Sequence, residues 1–185
     1  MKLAFIGAHG VGKTTLCYDL ASRLKRQDRV VDLVMEVARR SPLPINAETT
    51  LSAQQWILHT QIAEEVAASA GGGIVICDRS VLDNYAYLVH SSGRQPAVEP
   101  LLRDWVTTYH GLFKVPIIEA PSFDGRRDVN PGFQGAIDRL IDELAAEFGV
   151  GCTALDPADR DGWIDTVLVE SGLPLRPPQT ELKLT

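Results

Sequence analysis

Apolar residues in this chain alternate between two spacings, continuous runs of strand length and recurrences every three or four positions. Lys2–Ile6 is a short apolar run closed by Gly7, the pattern of a strand entering a turn. From Lys13 to about Gln27 the period changes, with Leu16, Leu20 and Leu24 at i+4 spacing, so a helix follows the loop. Val30–Glu36 reads as a second strand, and Ser41–Pro42–Leu43–Pro44 breaks any helix after it. Ser52 can cap a helix running to about Ser69, with Trp56, Ile57, Ile62 and Val66 on one face, and Gly71–Gly72–Gly73 ends it.

Ile74–Cys77 is uninterrupted hydrophobic sequence ending at Asp78–Arg79–Ser80, as expected of a strand covered on both faces of a parallel sheet. Ser80 then caps a helix carrying Leu82, Tyr85 and Leu88, and another helix is predicted from about Val98 to His110. Leu112–Glu119 is a fourth strand if Pro116 falls near its end. Phe133–Phe148 places Ile137, Leu140, Ile141 and Leu144 inward on a helix stopped by Gly149. Val150–Leu155 is a fifth strand, a last helix runs from about Ala158 to Ser171, and the tail from Leu173 contains Pro174, Pro177 and Pro178.

Strands alternating with helices imply βαβ units, hence an α/β fold with a parallel, doubly wound sheet flanked by helices and a site at the strands' carboxyl ends. With 185 residues, one domain over 1–172 and a proline-rich tail over 173–185 are expected. Hydrophobic residues at 45% and charged residues at 23% match an ordinary globular chain rather than a disordered or fibrous one. No run approaches the roughly 20 apolar residues that span a bilayer, and the amino end enters a loop motif rather than a cleavable signal, so a cytoplasmic location is expected. Cys17, Cys77 and Cys152 are far apart in apolar surroundings and read as buried reduced thiols.

The formal charge of −6 is uneven: residues 1–92 balance nine Lys/Arg with nine Asp/Glu, whereas 93–185 hold nine against fifteen. That distribution argues against a broad surface for duplex nucleic acid.

Gly7–Ala8–His9–Gly10–Val11–Gly12–Lys13–Thr14 fits G-x-x-x-x-G-K-[ST] between a predicted strand and a predicted helix, the context in which that pattern cradles phosphates. Gly7, Gly10, Val11, Gly12 and Thr15 belong to a backbone whose N–H groups turn inward beside a helix N-terminus. Lys13 reaches terminal phosphates, and the Thr14 hydroxyl is a ligand for Mg²⁺. His9 occupies a variable position of the motif and reads as a partly exposed ring hydrogen-bonded within the loop.

The next two strand ends each carry a carboxylate followed by arginine: Glu36 with Arg39–Arg40, and Asp78 with Arg79. Phosphoryl transfer needs one carboxylate for the acceptor hydroxyl, another to organise the metal, and cations to offset charge on the moving group. Glu36 is the candidate for the first role, Asp78 for the second, and the reverse assignment stays open. Arg126 and Arg127, on a loop at about 122–132, are candidates for a lid that closes on a triphosphate. Trp56, Trp105 and Trp163 read as packing residues.

Gly7–Thr15, Glu36–Val37–Ala38–Arg39, the Gln54–Gln61 segment, Cys77 through Asn84, and Asp124–Gly125–Arg126 followed by Phe133–Gln134 together resemble the P-loop kinases of nucleosides and nucleotides. Within that group, the pattern is similar to the ribosylnicotinamide kinase-like domain of bacterial NAD-biosynthesis regulators over roughly residues 1–150. The resemblance implies a three-layer P-loop fold with sheet order 2-3-1-4-5, ATP and Mg²⁺ as cofactors, Glu36 facing a nucleoside- or nucleotide-like acceptor, and Arg126 and Arg127 in the lid. A homodimer is compatible with this reading. Two other functions remain open, a nucleotide-operated regulatory module and a polynucleotide 5′-kinase. The absence of an Asn-Lys-x-Asp motif counts against guanine recognition, and the acidic second half counts against the polynucleotide.

Overall fold

A computed structural model describes residues 1–45, 48–118 and 131–176, with the side chain of Pro131 left out. Five parallel strands are joined in the order β2-β3-β1-β4-β5: β1 (Lys2–Ile6), β2 (Val31–Val34), β3 (Ile74–Asp78), β4 (Gly111–Lys114) and β5 (Thr153–Ala154). The helices are α1 (Lys13–Lys25), α2 (Leu51–Ser69), α3 (Val81–Ser92), α4 (Glu99–Val106), α5 (Pro131–Phe148) and α6 (Trp163–Glu170). The sheet order expected from the family resemblance is the one observed.

The central strands β1 and β3 are buried at every position, and alternation divides their side chains between two cores. Leu3, Phe5, Ile74, Ile76 and Phe113 face α1 and α6, meeting Leu16, Leu20, Leu24, Trp163 and Val167. Ala4, Ile6, Val75, Cys77 and Leu112 face the other layer, meeting Leu58, Leu82, Tyr85, Leu102 and Ile137.

Several expected boundaries shift. β2 ends at Val34, and Glu36 sits beyond it at the start of a short 3₁₀ turn, Val37–Arg40. β4 stops at Lys114, so Pro116 lies outside the ladder, as its missing N–H requires. Residues 150–152 stay outside β5, and the helix predicted from about Val98 to His110 ends at Val106. α2 is capped by Thr50, whose side chain accepts from the Ala53 N–H, rather than by Ser52. Its buried face is also different: Val66 is 56% exposed, whereas Gln54, Gln61 and Glu65 are buried beside Ile57 and Leu58.

Cys17 and Cys77 are buried, but Cys152 is exposed because it lies in the turn before β5 rather than in the strand. Trp163 packs in the core, with its indole N–H on the Asp156 carbonyl at 2.6 Å. The start of the tail lies along α1, where Gln27 donates to the Pro174 carbonyl at 3.0 Å and Arg23 to that of Leu175 at 2.9 Å. Residues 177–185, and with them Pro177 and Pro178, lie outside the described residues, as do Arg126, Arg127 and most of the expected lid. Among the described residues, no helix is long and apolar enough to cross a membrane.

Leu20 is fully buried between α1 and the sheet. Leu20→Ala is expected to lower unfolding free energy in urea by about 2–5 kcal/mol, the usual cost of a core leucine truncated to alanine.

Candidate active site

The first turn of the loop is fixed at Gly7. Gly7 has φ +137°, and a Cβ there would lie 2.8 Å from the Val115 carbonyl oxygen, so the backbones meet at a distance only glycine permits. Its N–H donates to Asp83 Oδ1 at 2.8 Å, while Asp83 Oδ2 accepts from the backbone and hydroxyl of Ser80 at 2.9 and 2.8 Å. Ser80 reciprocates as the cap of α3, its Oγ accepting from Leu82 N–H at 3.1 Å. This capping box thus ties the phosphate-loop candidate to the turn after β3. No chemical role for Asp83 follows from the motifs of the sequence, although the Ser80-x-x-Asp83 spacing is that of an N-cap.

At the other end of the loop, Gly12 with φ +94° opens α1, and the buried Lys13 ammonium donates to the carbonyls of Gly7 at 2.9 Å and Ala8 at 2.5 Å. Burial, followed by the nearby Arg79, lowers the Lys13 pKa to about 8. The Thr14 hydroxyl donates to Asp78 Oδ2 at 2.5 Å, and burial raises the pKa of the Asp78 carboxyl. Thr14 and Asp78 therefore meet across the interface of α1 and β3.

Glu36 is brought in from the second strand end. Its Oε1 accepts from Arg79 Nε and Nη2 at 2.9 and 2.8 Å, and its Oε2 accepts from Arg39 Nε at 2.7 Å. Burial alone would push its pKa up, but Arg79 and Lys13, with the hydrogen bonds from Arg39 and Arg79, hold it well below the ordinary carboxylate range. Arg79 has φ +90°, unusual for a residue with a Cβ, and its guanidinium carbon lies 4.8 Å from the centre of the Tyr87 ring.

Lys13, Thr14, Asp78, Glu36, Arg39 and Arg79 line one cavity of about 680 Å³, within the range of small-molecule sites. Gly10, Gly12 and Thr15 also border it, while Gly7 and Val11 support the loop from behind. Arg40 instead pairs with Glu64 at 3.1 Å on the surface.

His9 is buried rather than partly exposed. Its Nδ1 lies 3.1 Å from the Tyr87 hydroxyl, and its ring stacks on Phe133 with centroids 5.4 Å apart. The His9 carbonyl accepts from Gln134 at 2.8 Å, which joins the start of α5 to the loop. His90 meets Phe133 edge-on at 5.0 Å, so the cavity has an aromatic wall, and Gln54 and Asn84 contribute amides. Arg160, also without an assigned role, brings Nη2 within 3.9 Å of where a Cβ on Gly12 would lie. It stands 148 positions after Gly12, and no local pattern joins the two.

Among the described residues there is no cluster of three or more His, Cys, Asp or Glu that would hold a metal. Thr14 and Asp78 instead place two hard oxygens side by side next to the loop, a donor chemistry that could hold Mg²⁺ sharing its shell with water.

The sequence profile described as an AAA domain matches residues 2–161. No curated protein sequence matches the chain. Among solved structures, the NadR protein in complex with NR superposes with a TM-score of 0.75 at 22% identity, over 97% of this chain and 54% of that one. The chain therefore spans about half the length of that protein. Thymidylate kinase from Ehrlichia chaffeensis gives 0.63 at 20% identity over 92% and 95% of the two chains. Deoxyadenosine kinase from M. mycoides with bound dATP gives 0.64 at 13% identity over 93% and 99%. These likenesses establish the fold.

A bound polyphosphate favours the protonated Lys13, so it must raise that group's pKa above about 8. ATP binding measured by calorimetry at pH 9 in buffers of different ionisation enthalpy is accordingly expected to take up a fraction of a proton at Lys13, and almost none there at pH 6.5. Lys13→Ala, compared with the parent, should remove the uptake and weaken binding while leaving the fold intact.

Proposed function

Because this chain belongs to the AAA domain family, whose profile covers residues 2–161, we propose that it is an ATP-dependent phosphotransferase, moving the γ-phosphate of Mg·ATP to a hydroxyl of a small nucleoside- or nucleotide-like acceptor. The observation that carries this reading is the Glu36 carboxylate, held ionised by Arg79 and Arg39 in the cavity that also exposes Lys13 and Thr14. A hydroxyl must be aimed at the γ-phosphate as it attacks, and an ionised carboxylate facing the acceptor holds it there as a hydrogen-bond acceptor. A phosphate acceptor is already ionised near pH 7 and needs no such group. The likeness to a thymidylate kinase and a deoxyadenosine kinase supports a nucleoside-sized acceptor, and the aromatic and amide wall of the cavity suits a flat, polar ring.

In this reading Lys13 neutralises the terminal phosphates, and the loop backbone and α1 N-terminus hold the remaining oxygens. Mg²⁺, bound through Thr14 and Asp78, would offset phosphate charge. Glu36 orients the hydroxyl by accepting its hydrogen bond, its pKa lying too low for the carboxylate to keep the proton. Arg79 keeps Glu36 ionised with two N–H groups, and its positive charge on the wall of the same cavity offsets the charge that develops on the transferring group. Arg126 and Arg127 complete the site as lid cations.

ATP consumption with and without a panel of nucleosides and nucleoside monophosphates tests the proposal. Nucleoside-dependent turnover yielding a phosphorylated product is expected. Turnover indifferent to every acceptor would make the chain a nucleotide-operated module, and stimulation by monophosphates alone would remove the hydroxyl. Glu36→Gln should bind Mg·ATP like the parent and lose about 10²–10⁴-fold in transfer, whereas Asp78→Asn should weaken the metal dependence of ATP binding itself.

A further inference from the structure

The turn that carries Arg79 is gripped from outside the cavity. Arg79 combines a left-handed backbone with complete burial of its surroundings, and a residue with a Cβ holds such a conformation only where its neighbours over-determine it, at a cost of order 1–3 kcal/mol. Its N–H donates to the Phe5 carbonyl at 3.2 Å, and its carbonyl accepts from Gln61 Nε2, also at 3.2 Å. Two residues on, the Val81 N–H donates to the Tyr109 hydroxyl at 3.1 Å.

Gln61 and Tyr109 converge on one atom: Glu65 Oε1 accepts from Gln61 Nε2 at 2.9 Å and from the Tyr109 hydroxyl at 2.6 Å. The second Glu65 oxygen accepts from Lys2 Nζ at 2.7 Å and Trp105 Nε1 at 2.8 Å, and the Lys2 ammonium lies over the Trp105 and Tyr109 rings at 4.6 and 4.3 Å. Glu65 has 0% exposure and lines no part of the candidate active cavity.

We propose that Glu65 is a positioning residue for Arg79: through Gln61 and Tyr109 it clamps the 79–81 turn and so aims the Arg79 guanidinium at Glu36. A buried ion pair adds little stability over apolar residues of similar volume, so the Lys2–Glu65 pair matters chiefly for where it fixes its partners. Glu65 accepts four donors in all, and two of those donors also hold the turn backbone. Aiming matters because Arg79 directs both Nε and Nη2 at one oxygen of Glu36, two charge-assisted bonds that weaken together if the turn carries the guanidinium away.

This inference rests on the proposed phosphotransferase only for its kinetic consequence, and the experiment keeps the two apart. In the full chain, hydrogen exchange at the Arg79 Nε–H is followed by nitrogen-15 NMR, which requires no turnover. Gln61→Leu and the milder Tyr109→Phe, each checked for a folded state by circular dichroism, are expected to accelerate that exchange on the order of tenfold, as loss of one supporting hydrogen bond would. Unchanged exchange in both folded variants overturns the positioning role.

Where the parent shows nucleoside-dependent transfer, Gln61→Leu should lower kcat with the Kd for Mg·ATP kept within about twofold, since the loop contacts are untouched. In an Arg79→Lys background the same substitution should have no further effect, whereas additive losses would mean that Gln61 does not act through Arg79. Accelerated exchange in a chain that transfers phosphate to no acceptor would leave the clamp standing and remove the phosphotransferase.

Discussion

One carboxylate, that of Asp83, joins the two strand ends that build the candidate site. Its Oδ1 takes the Gly7 N–H and its Oδ2 takes both donors of Ser80. The β1–β3 ladder runs only as far as the Arg79 N–H on the Phe5 carbonyl; beyond it the loop and the turn would have buried polar groups to satisfy, and an unpaired buried N–H costs on the order of 1–3 kcal/mol. Sharing a single acceptor removes that cost and fixes the distance between them. The Lys13 ammonium, the Thr14–Asp78 contact and the Arg79–Glu36 pair are all hung on the frame so formed.

Charge explains why these groups tolerate burial together. The buried Lys13 and Arg79, with the exposed Arg39 at the edge, are interleaved with Glu36, Asp78 and Asp83, and each cation has a carboxylate or a carbonyl within reach. The balance is local rather than pairwise. Burial and Arg79 depress the Lys13 pKa, while Arg79 and Lys13 together overcome the burial that would otherwise neutralise Glu36. A polyphosphate of the kind proposed would enter a site whose charged groups are already held by one another, and orientation fixed before binding is what makes such electrostatics effective.

The sheet was legible because its central strands are continuous apolar runs and its loop motif has a strict spacing. Lys13, Thr14, Asp78, Arg79 and Glu36 converge because they follow the carboxyl ends of three adjacent strands in the order β2-β3-β1. What hydrophobic periodicity missed is the polar interior. On α2 it favoured Val66 as inward, yet the helix turns Gln61 and Glu65 to the core because their partners, Lys2, Tyr109 and the Arg79 carbonyl, come from distant segments. Long-range pairing makes a buried glutamate affordable and leaves no local trace in sequence. Arg160, beside the opening of α1 although it lies far along the chain, escaped notice for the same reason.

The close approach at Gly7 has a mechanical corollary. The carbonyl that would meet a side chain there belongs to Val115, whose N–H is bonded to the Ile6 carbonyl at 2.9 Å. Strand β4 therefore abuts the opening of the phosphate-loop candidate directly, with no side chain between them to cushion movement. Val115 is also the first residue after β4, on the stretch of chain that leads through Pro116 toward the segment carrying Arg126 and Arg127. A displacement of Val115 would therefore be felt at Gly7 as a movement of backbone against backbone.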